Sequence, residues 1–276
     1  MKNKIRTIKR KLDDSISQLC DVSWMFSSNP EKDFSRDRKL PLKKVISILL
    51  SVQGGTLTTE LLKYFNCLAD KIKLLSLDIA SSSAFVQQRN KINSFAFPTL
   101  FDLFVKKTNS AKLYKGFRLF AADGSDFKIP HNPAHIESHY DGTNGQSPYN
   151  VFHLDAMYDL LQHTYQDVAL GGDREMNERR SLCSMVDRSN TQNAIVIADR
   201  GYENYNLMAH IQEKGWKFLI RIKDIHSVGG IASGLNLPDF PEFDTVINLS
   251  LTTKQTNEIK ELCENSNEFR FIPSAV

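Results

Sequence analysis

The chain has 276 residues, 41% hydrophobic and 24% charged. That is ordinary globular usage, and it excludes a disordered polyelectrolyte, a collagen-like repeat and a disulfide miniprotein. Lys and Arg number 35 against 32 Asp and Glu, a net charge of +3 with a pI near 8.5, an excess too small to identify a nucleic-acid partner by itself. Cys20, Cys67, Cys183 and Cys263 lie far apart without a C-x-x-C pair, which predicts reduced thiols rather than a zinc site or a disulfide framework. The basic first residues precede no apolar signal core, and runs such as Val45 to Leu50 are far too short to span a bilayer. The expectation is a soluble, cytoplasmic protein.

Residues 1–112 predict a helical domain. Ile5, Ile8, Leu12, Ile16 and Leu19 recur at helical spacing among Lys2, Lys4, Arg6, Lys9, Arg10 and Lys11. Pro41 stands where a first helical residue belongs, ahead of Val45, Ile46, Ile48, Leu49 and Leu50. Gly54 and Gly55 interrupt this run before a second short helix over Thr59 to Leu68. Two short helices about a glycine turn are the minimal shape of a helix-turn-helix DNA reader, and equally of a plain helical hairpin. Ser81 to Ser83 predict an N-cap for a helix carrying Gln87, Gln88, Arg89 and Lys91. The apolar stretch Phe95 to Val105 follows.

From Phe117 the period changes. Phe117 to Asp123 reads as a buried strand stopped by Gly124, and the Pro-, Gly-, Asn- and His-rich residues 128–150 as a long loop. Residues 151–158 and 163–170 predict a hairpin closed by Gly171 and Gly172. A helix over Glu175 to Asp187, a strand over Ala194 to Asp199, a helix over Glu203 to Lys214 ending at Gly215, and a strand over Trp216 to Ile222 complete the series. The fold class is therefore α/β: a helical N-terminal domain, then a mixed sheet with flanking helices in the element order of an RNase H-like core over residues 113–225. Residues 226–276 turn Gly-, Pro- and Asn-rich, with a strand near Thr245 to Leu251 and no closing helix.

Asp123, in Ala121-Ala122-Asp123-Gly124-Ser125, and Asp199, in Ile197-Ala198-Asp199-Arg200-Gly201-Tyr202, each follow an apolar strand. Functional groups of open α/β sheets gather at the carboxyl ends of strands. On neighbouring strands these two would present hard oxygen ligands to Mg2+ or Mn2+, and two such ions about 3.5–4 Å apart serve phosphodiester chemistry. An Asp before Gly is also ordinary turn chemistry.

The ordered combination resembles the DDE transposases of bacterial insertion sequences, of the insertion-sequence-four type. Asp123-Gly124-Ser125 leading to Lys128-Ile129-Pro130 is similar to the family's first catalytic block. Asp199-Arg200-Gly201-Tyr202, followed by a helix and Phe218-Leu219-Ile220-Arg221-Ile222-Lys223, is similar to the second, and Ser83 to Arg89 with Lys91 resembles the segment before the core. The resemblance covers roughly residues 40–225. It implies a metal-dependent transposase with Asp123 and Asp199 as catalytic metal ligands in a two-metal site. It also implies a partially present β-rich insertion at 226–276 and homodimers on paired DNA ends, acting on terminal inverted repeats and target DNA at the bacterial nucleoid. The family's third acid sits in a Tyr-Arg-Glu-Lys block that this sequence lacks. Glu258, Glu261, Glu264 and Glu268 lack its neighbours and take no role by resemblance. The expectation is a chain truncated inside the insertion, with its activity open.

Arg89, Lys91, Arg200 and Tyr202 are DNA-contact candidates, the last two also as support for the active site. Arg179, Arg180 and Arg188 read as a solvated helix face or as phosphate contacts. His131, His135 and His139 read as incidental loop histidines, and His153 with Asp155 as the polar face of a hairpin. The alternatives are a DNA-binding transposase remnant or inhibitor without chemistry, and an RNase H-like nuclease outside transposition.

Overall fold

A computed structural model describes residues 2–35, 39–72, 79–109, 112–143, 145–172, 174, 176–225, 227–233, 235, 237–238, 240–265 and 269–272. The chain divides into two compact units, Met1–Asn109 and Ser110–Val276.

The first unit is helical: α1 (Lys2–Asp21), α2 (Leu42–Leu49), α3 (Leu57–Ile72), α4 (Ser82–Arg89) and α5 (Ala96–Thr108). Short α2 is apolar on two sides, and that lets it join two cores. Leu42 and Ile46 pack with Ile16, Leu19, Ala96 and Leu100, while Val45 and Ile48 pack with Leu61, Phe65 and Phe85. Pro41 sits one position before its expected place, at the N-cap, and its carbonyl accepts from Lys44 and Val45 N–H. The glycine turn between α2 and α3 is tied by buried Glu60, which accepts from Gly55 N (2.9 Å) and Gln53 N (3.2 Å). Ser81 caps α4 as expected, its side chain accepting from Ala84 N.

The second unit is built on one mixed sheet. Its strands are β1 (Arg118–Ile129), β2 (His139–Tyr140), β3 (Tyr149–Asp159), β4 (Thr164–Gly172), β5 (Ala194–Ala198) and β6 (Lys217–Ile220). β3 lies between β1 on one side and β2 and β4 on the other; β5 and then β6 extend the sheet beyond β1. The β4–β3–β1 part is antiparallel, and β1–β5–β6 is parallel. This is the mixed order expected of an RNase H-like core. Helices α6 (Glu178–Arg188) and α7 (Tyr205–Glu213) supply the crossovers.

β1 is longer than its sequence suggests. Gly124 does not stop it, because antiparallel pairing with β3 carries the strand on to Ile129, whereas pairing with β5 ends at Ala121–Ile197. Asp123 is therefore inside a strand, just past the point where β5 leaves it. Residues 128–150, expected as loop, include the end of β1, a 3-10 turn at Ile136–Ser138, and β2. Helix α6 begins at Glu178; the expected start at residue 175 lies outside the described residues. Towards the end, β7 (Ser250–Thr252) and β8 (Phe269–Phe271) form a parallel pair joined through α8 (Asn257–Asn265). That helix, which carries Glu258, Glu261 and Glu264, was not expected in a β-rich segment; Glu268 lies outside the described residues. No helix among the described residues is long and apolar enough to cross a membrane.

Alternation along β1 and β5 turns Phe120, Ala122, Ala194, Val196 and Ala198 to one face, where they bury against Leu182, Met185 and Val186 of α6 and Leu207 and Ile211 of α7. Trp216 closes this core, packing on Phe120 at 5.5 Å and donating to the Thr191 carbonyl at 3.0 Å. Leu182 is wholly buried where α6 meets the sheet. Leu182→Ala should cost about 2–5 kcal/mol in urea unfolding; a loss below ~1 kcal/mol would contradict this packing.

Candidate metal centre

β1 and β5 run parallel in fixed step: Arg118 opposes Ala194, and Ala121 opposes Ile197. Asp123 and Asp199 each stand two residues beyond that last pair. Both aspartates follow the alternation that puts Ala121 and Ile197 on the sheet face away from the helix-covered core. Each is exposed, and each is held by a backbone N–H close in sequence. Asp123 Oδ1 accepts from Gly124 N (3.0 Å), and Asp199 Oδ1 accepts from Gly201 N (2.7 Å) as the cap of the 3-10 turn at Arg200–Tyr202. Among the described residues Oδ2 of each carries no hydrogen bond.

On the helix-covered face, three further groups reach the same end of the sheet. His153 and Asp155 alternate on β3, opposite Asp126 and Gly124 of β1. Glu178 is the first residue of α6, whose N-terminus is capped by Asn177 through Arg180 N (3.1 Å). An acid in the first turn suits the positive end of the helix. Arg179 Nε donates to Gly201 O at 2.8 Å, tying the start of α6 to the turn that carries Asp199.

Two glycines make room for this convergence. A Cβ on Gly124 would stand 2.6 Å from Glu178 Oε1 and 2.8 Å from His153 Nε2; one on Gly201 would stand 2.9 Å from Asp199 Oδ1 and 3.7 Å from Glu178 Oε2. Glu178 thus fills the space left by the missing side chain after Asp123, and its other oxygen flanks the same point as Asp199. His153, Asp155 and Glu178 can bring one ligand atom each within 4.8 Å of one another.

The charges are unevenly matched. His153 Nδ1 bonds Asp126, and Nε2 bonds Asp155 at 2.9 Å. Burial works against its charge, but Asp126 and Asp155 outweigh it and raise the imidazole pKa. Asp155 is 1% exposed, and its Oδ2 has no hydrogen-bond partner. Burial pushes the Glu178 carboxyl upward, and Asp155, Asp199 and Asp123 push it further, against the pull of His153. His153, Asp155 and Glu178, with an orphaned buried oxygen and glycine-made space beside them, form a mixed nitrogen and oxygen donor set that fits a divalent cation, and Asp123 and Asp199 are not part of that group.

The other residues expected at a site are dispersed. Arg200 is exposed immediately after Asp199. Tyr202 is 2% exposed within the sheet's core, which leaves its side chain no surface for DNA and makes it a support beneath the site. Its phenol is pushed far up, first by burial and then by Glu178, Asp155, Asp123 and Asp199. Arg89 and Lys91 belong to the other unit; Arg89 is exposed at the end of α4, and Lys91 pairs with Asp33 at 3.5 Å. Arg188 is engaged by Asp167 at 2.6 Å. His131, His135 and His139 form no metal-ligand cluster among the described residues.

Glu178, His153 and Asp155 were missed as site residues. His153-x-Asp155 looks like an exposed polar alternation, but α6 covers that face of β3 and buries both. The usable signal for Glu178 was Asn177, an N-cap directly ahead of an acid.

Because its native pKa is raised, His153 contributes stability that is fully present below the unfolded value of about 6.5 and is lost as pH rises through the native value. Chemical unfolding at several pH values should show wild type losing its advantage over His153→Gln as pH rises above ~6.5. Parallel pH profiles would contradict the buried imidazolium.

Residues 114–232, which span β1 to β6, match the family model of the transposase DDE domain. No curated protein matches the chain. Among solved structures, a piggyBac transposase synaptic complex with hairpin DNA aligns at 12% identity over 79% of this chain and 49% of that one, with a TM-score of 0.36. The chain therefore spans about half the length of that relative. The segment that carries Asp123, Glu178 and Asp199 is thus similar to the transposase DDE domain.

Proposed function

We propose that this protein is a DNA transposase of a bacterial insertion sequence, of the insertion-sequence-four type, that cleaves phosphodiester bonds at the element's ends and transfers the freed strands. The observation that supports the reading is the parallel pairing of Ala121 with Ile197, two residues before Asp123 and Asp199, in a domain matching the transposase DDE model.

Asp123 and Asp199 would hold Mg2+ or Mn2+, while the bonds from Gly124 and Gly201 fix each carboxylate before substrate arrives. Divalent ions held there would supply activation of an attacking oxygen and neutralisation of charge on the phosphate. Arg200, exposed beside Asp199, supplies a forked cation for an adjacent phosphate. Tyr202 packs the turn from below and keeps Asp199 at the end of β5. In the helical unit, α2, the Glu60-tied turn and α3, with Arg89 and Lys91, hold the terminal inverted repeats. Two copies pair the ends before joining them to target DNA.

A second reading, a chain that binds ends without cutting, is favoured by a ligand group among the described residues that takes in His153, Asp155 and Glu178 but neither Asp123 nor Asp199. End-containing DNA incubated with Mg2+ or Mn2+ separates the two. Asp123→Asn and Asp199→Asn should each lower cleavage at least about a hundredfold, since the ions contribute several kcal/mol, while retaining DNA. Wild-type cutting by either variant would contradict the mechanism, and retention without any cutting by the wild type would favour the second reading. Retention should fall steeply between about 50 and 200 mM salt as basic side chains give up phosphate contacts; a flat response would contradict a backbone-binding role.

A further inference from the structure

We propose that the first turns of α1 form a duplex-DNA contact of their own, a helix laid in the major groove with cations turned to the phosphates on either side. This inference rests on the reading of the chain as one that acts on DNA, and it adds a surface separate from α2, α3, Arg89 and Lys91.

Helix α1 outruns the core that holds it. Ile16 and Leu19 are buried with Leu42 and Ile46 of α2 and Ala96 and Leu100 of α5, and Leu12 is half-buried against them. The same apolar stripe continues towards the N-terminus through Ile8 and Ile5, but there it is 43% and 60% exposed. Residues 3–10 are exposed on every side of the helix.

This projecting end carries the chain's positive excess. Lys2, Lys4, Arg6, Lys9, Arg10 and Lys11 all precede the first acid, Asp13. The net charge of the whole chain is only +3, so the remainder is net negative. Among the described residues Lys4, Arg6, Lys9, Arg10 and Lys11 form no ion pair. The charges also oppose the helix itself. α1 has no acid in its first turn and no base in its last, the reverse of what the helix dipole favours. Arg6 and Arg10 stand one turn apart, where like charges repel. Polyanion binding relieves both strains.

The distribution around the helix axis selects the partner. At about 100° per residue, Ile5, Ile8 and Leu12 make one narrow stripe. Lys4 and Lys11 flank it on one side, Lys9 and then Arg6 on the other, with Arg10 behind. The major groove of B-DNA admits a helix and offers thymine methyl groups to apolar side chains at its floor, while its two walls are phosphate strands that cations neutralise. A lipid surface calls for a broader apolar face than two exposed isoleucines. A second copy of this helix would set like charge against like charge.

The test is the binding of a fluorescent duplex of arbitrary sequence to the full 276-residue chain, in chelator, over a range of salt concentrations. Wild type is compared with Lys4→Gln/Arg6→Gln/Lys9→Gln, with Ile5→Ser/Ile8→Ser, and with Lys115→Gln/Lys217→Gln/Lys254→Gln, which removes the same charge from exposed positions of the other unit. In the α1 charge variant the slope of log affinity against log salt should become shallower by roughly 2–3, with a melting temperature equal to or above wild type. The isoleucine variant should bind at least about tenfold more weakly with the slope unchanged, and the distant charge variant should keep the wild-type slope. DNA binding by the wild type with an unchanged slope in the α1 charge variant would overturn the contact and leave the transposase reading standing. An equal change in the distant charge variant would reduce the effect to net charge and overturn it too. Full affinity in the isoleucine variant would overturn the groove placement, and a lower melting temperature in the α1 charge variant would contradict the charge strain. Preference of the wild type for phosphatidylserine vesicles over the duplex would replace DNA with a lipid partner. A wild type that binds no duplex at any salt concentration would remove both readings together.

Discussion

The parallel register between β1 and β5 is the constraint on which the site depends. It brings residues 76 positions apart, such as Ala121 and Ile197, into step, two residues before Asp123 and Asp199. A slip of one residue would turn one aspartate to the helix-covered face, where Ala122 and Ala198 are buried. The register is held by the core beneath it: Phe120, Val196 and Trp216 against Leu182, Met185 and Leu207. β1 then parts from β5 while staying paired to β3. The opening at that point gives two carboxylates a solvent-facing edge on an otherwise buried pair of strands.

Around this edge the fold tolerates charge that stability alone would not select. Asp155, Asp199 and Asp123 act on the Glu178 carboxyl and, with Glu178, on the Tyr202 phenol, and His153 is a counter-charge between Asp126 and Asp155. Side chains at Gly124 and Gly201 would fill the space the acids share. Close-set carboxylates, one of them buried with an unsatisfied oxygen, are a local strain that a cation relieves.

Much of the second unit was legible from the sequence because its signals are local. The apolar run Ala194 to Ala198, the hairpin of β3 and β4, and the Asp-Gly-Ser and Asp-Arg-Gly-Tyr blocks are each carried by residues close together in the chain. The illegible parts depend on distant partners. Gly124 reads as a terminator until β3 is seen to carry β1 past it. His153 and Asp155 read as a solvated face until α6 is laid over them. Tyr202 reads as a surface aromatic until it is found in the core, and Glu178 is one of many acids until Arg179 ties its helix to the Asp199 turn. In the C-terminal segment, α8 between two short parallel strands was hidden by Gly- and Pro-rich surroundings.

The most direct measurement of the central claim is the position of the ion itself. Anomalous diffraction at the manganese edge, from crystals grown with Mn2+, should show density at the carboxyl end of β1 and β5, within coordination distance of about 2.0–2.3 Å of Asp123 and Asp199. A strong peak elsewhere, or density of that kind unchanged in Asp199→Asn crystals, would contradict the account.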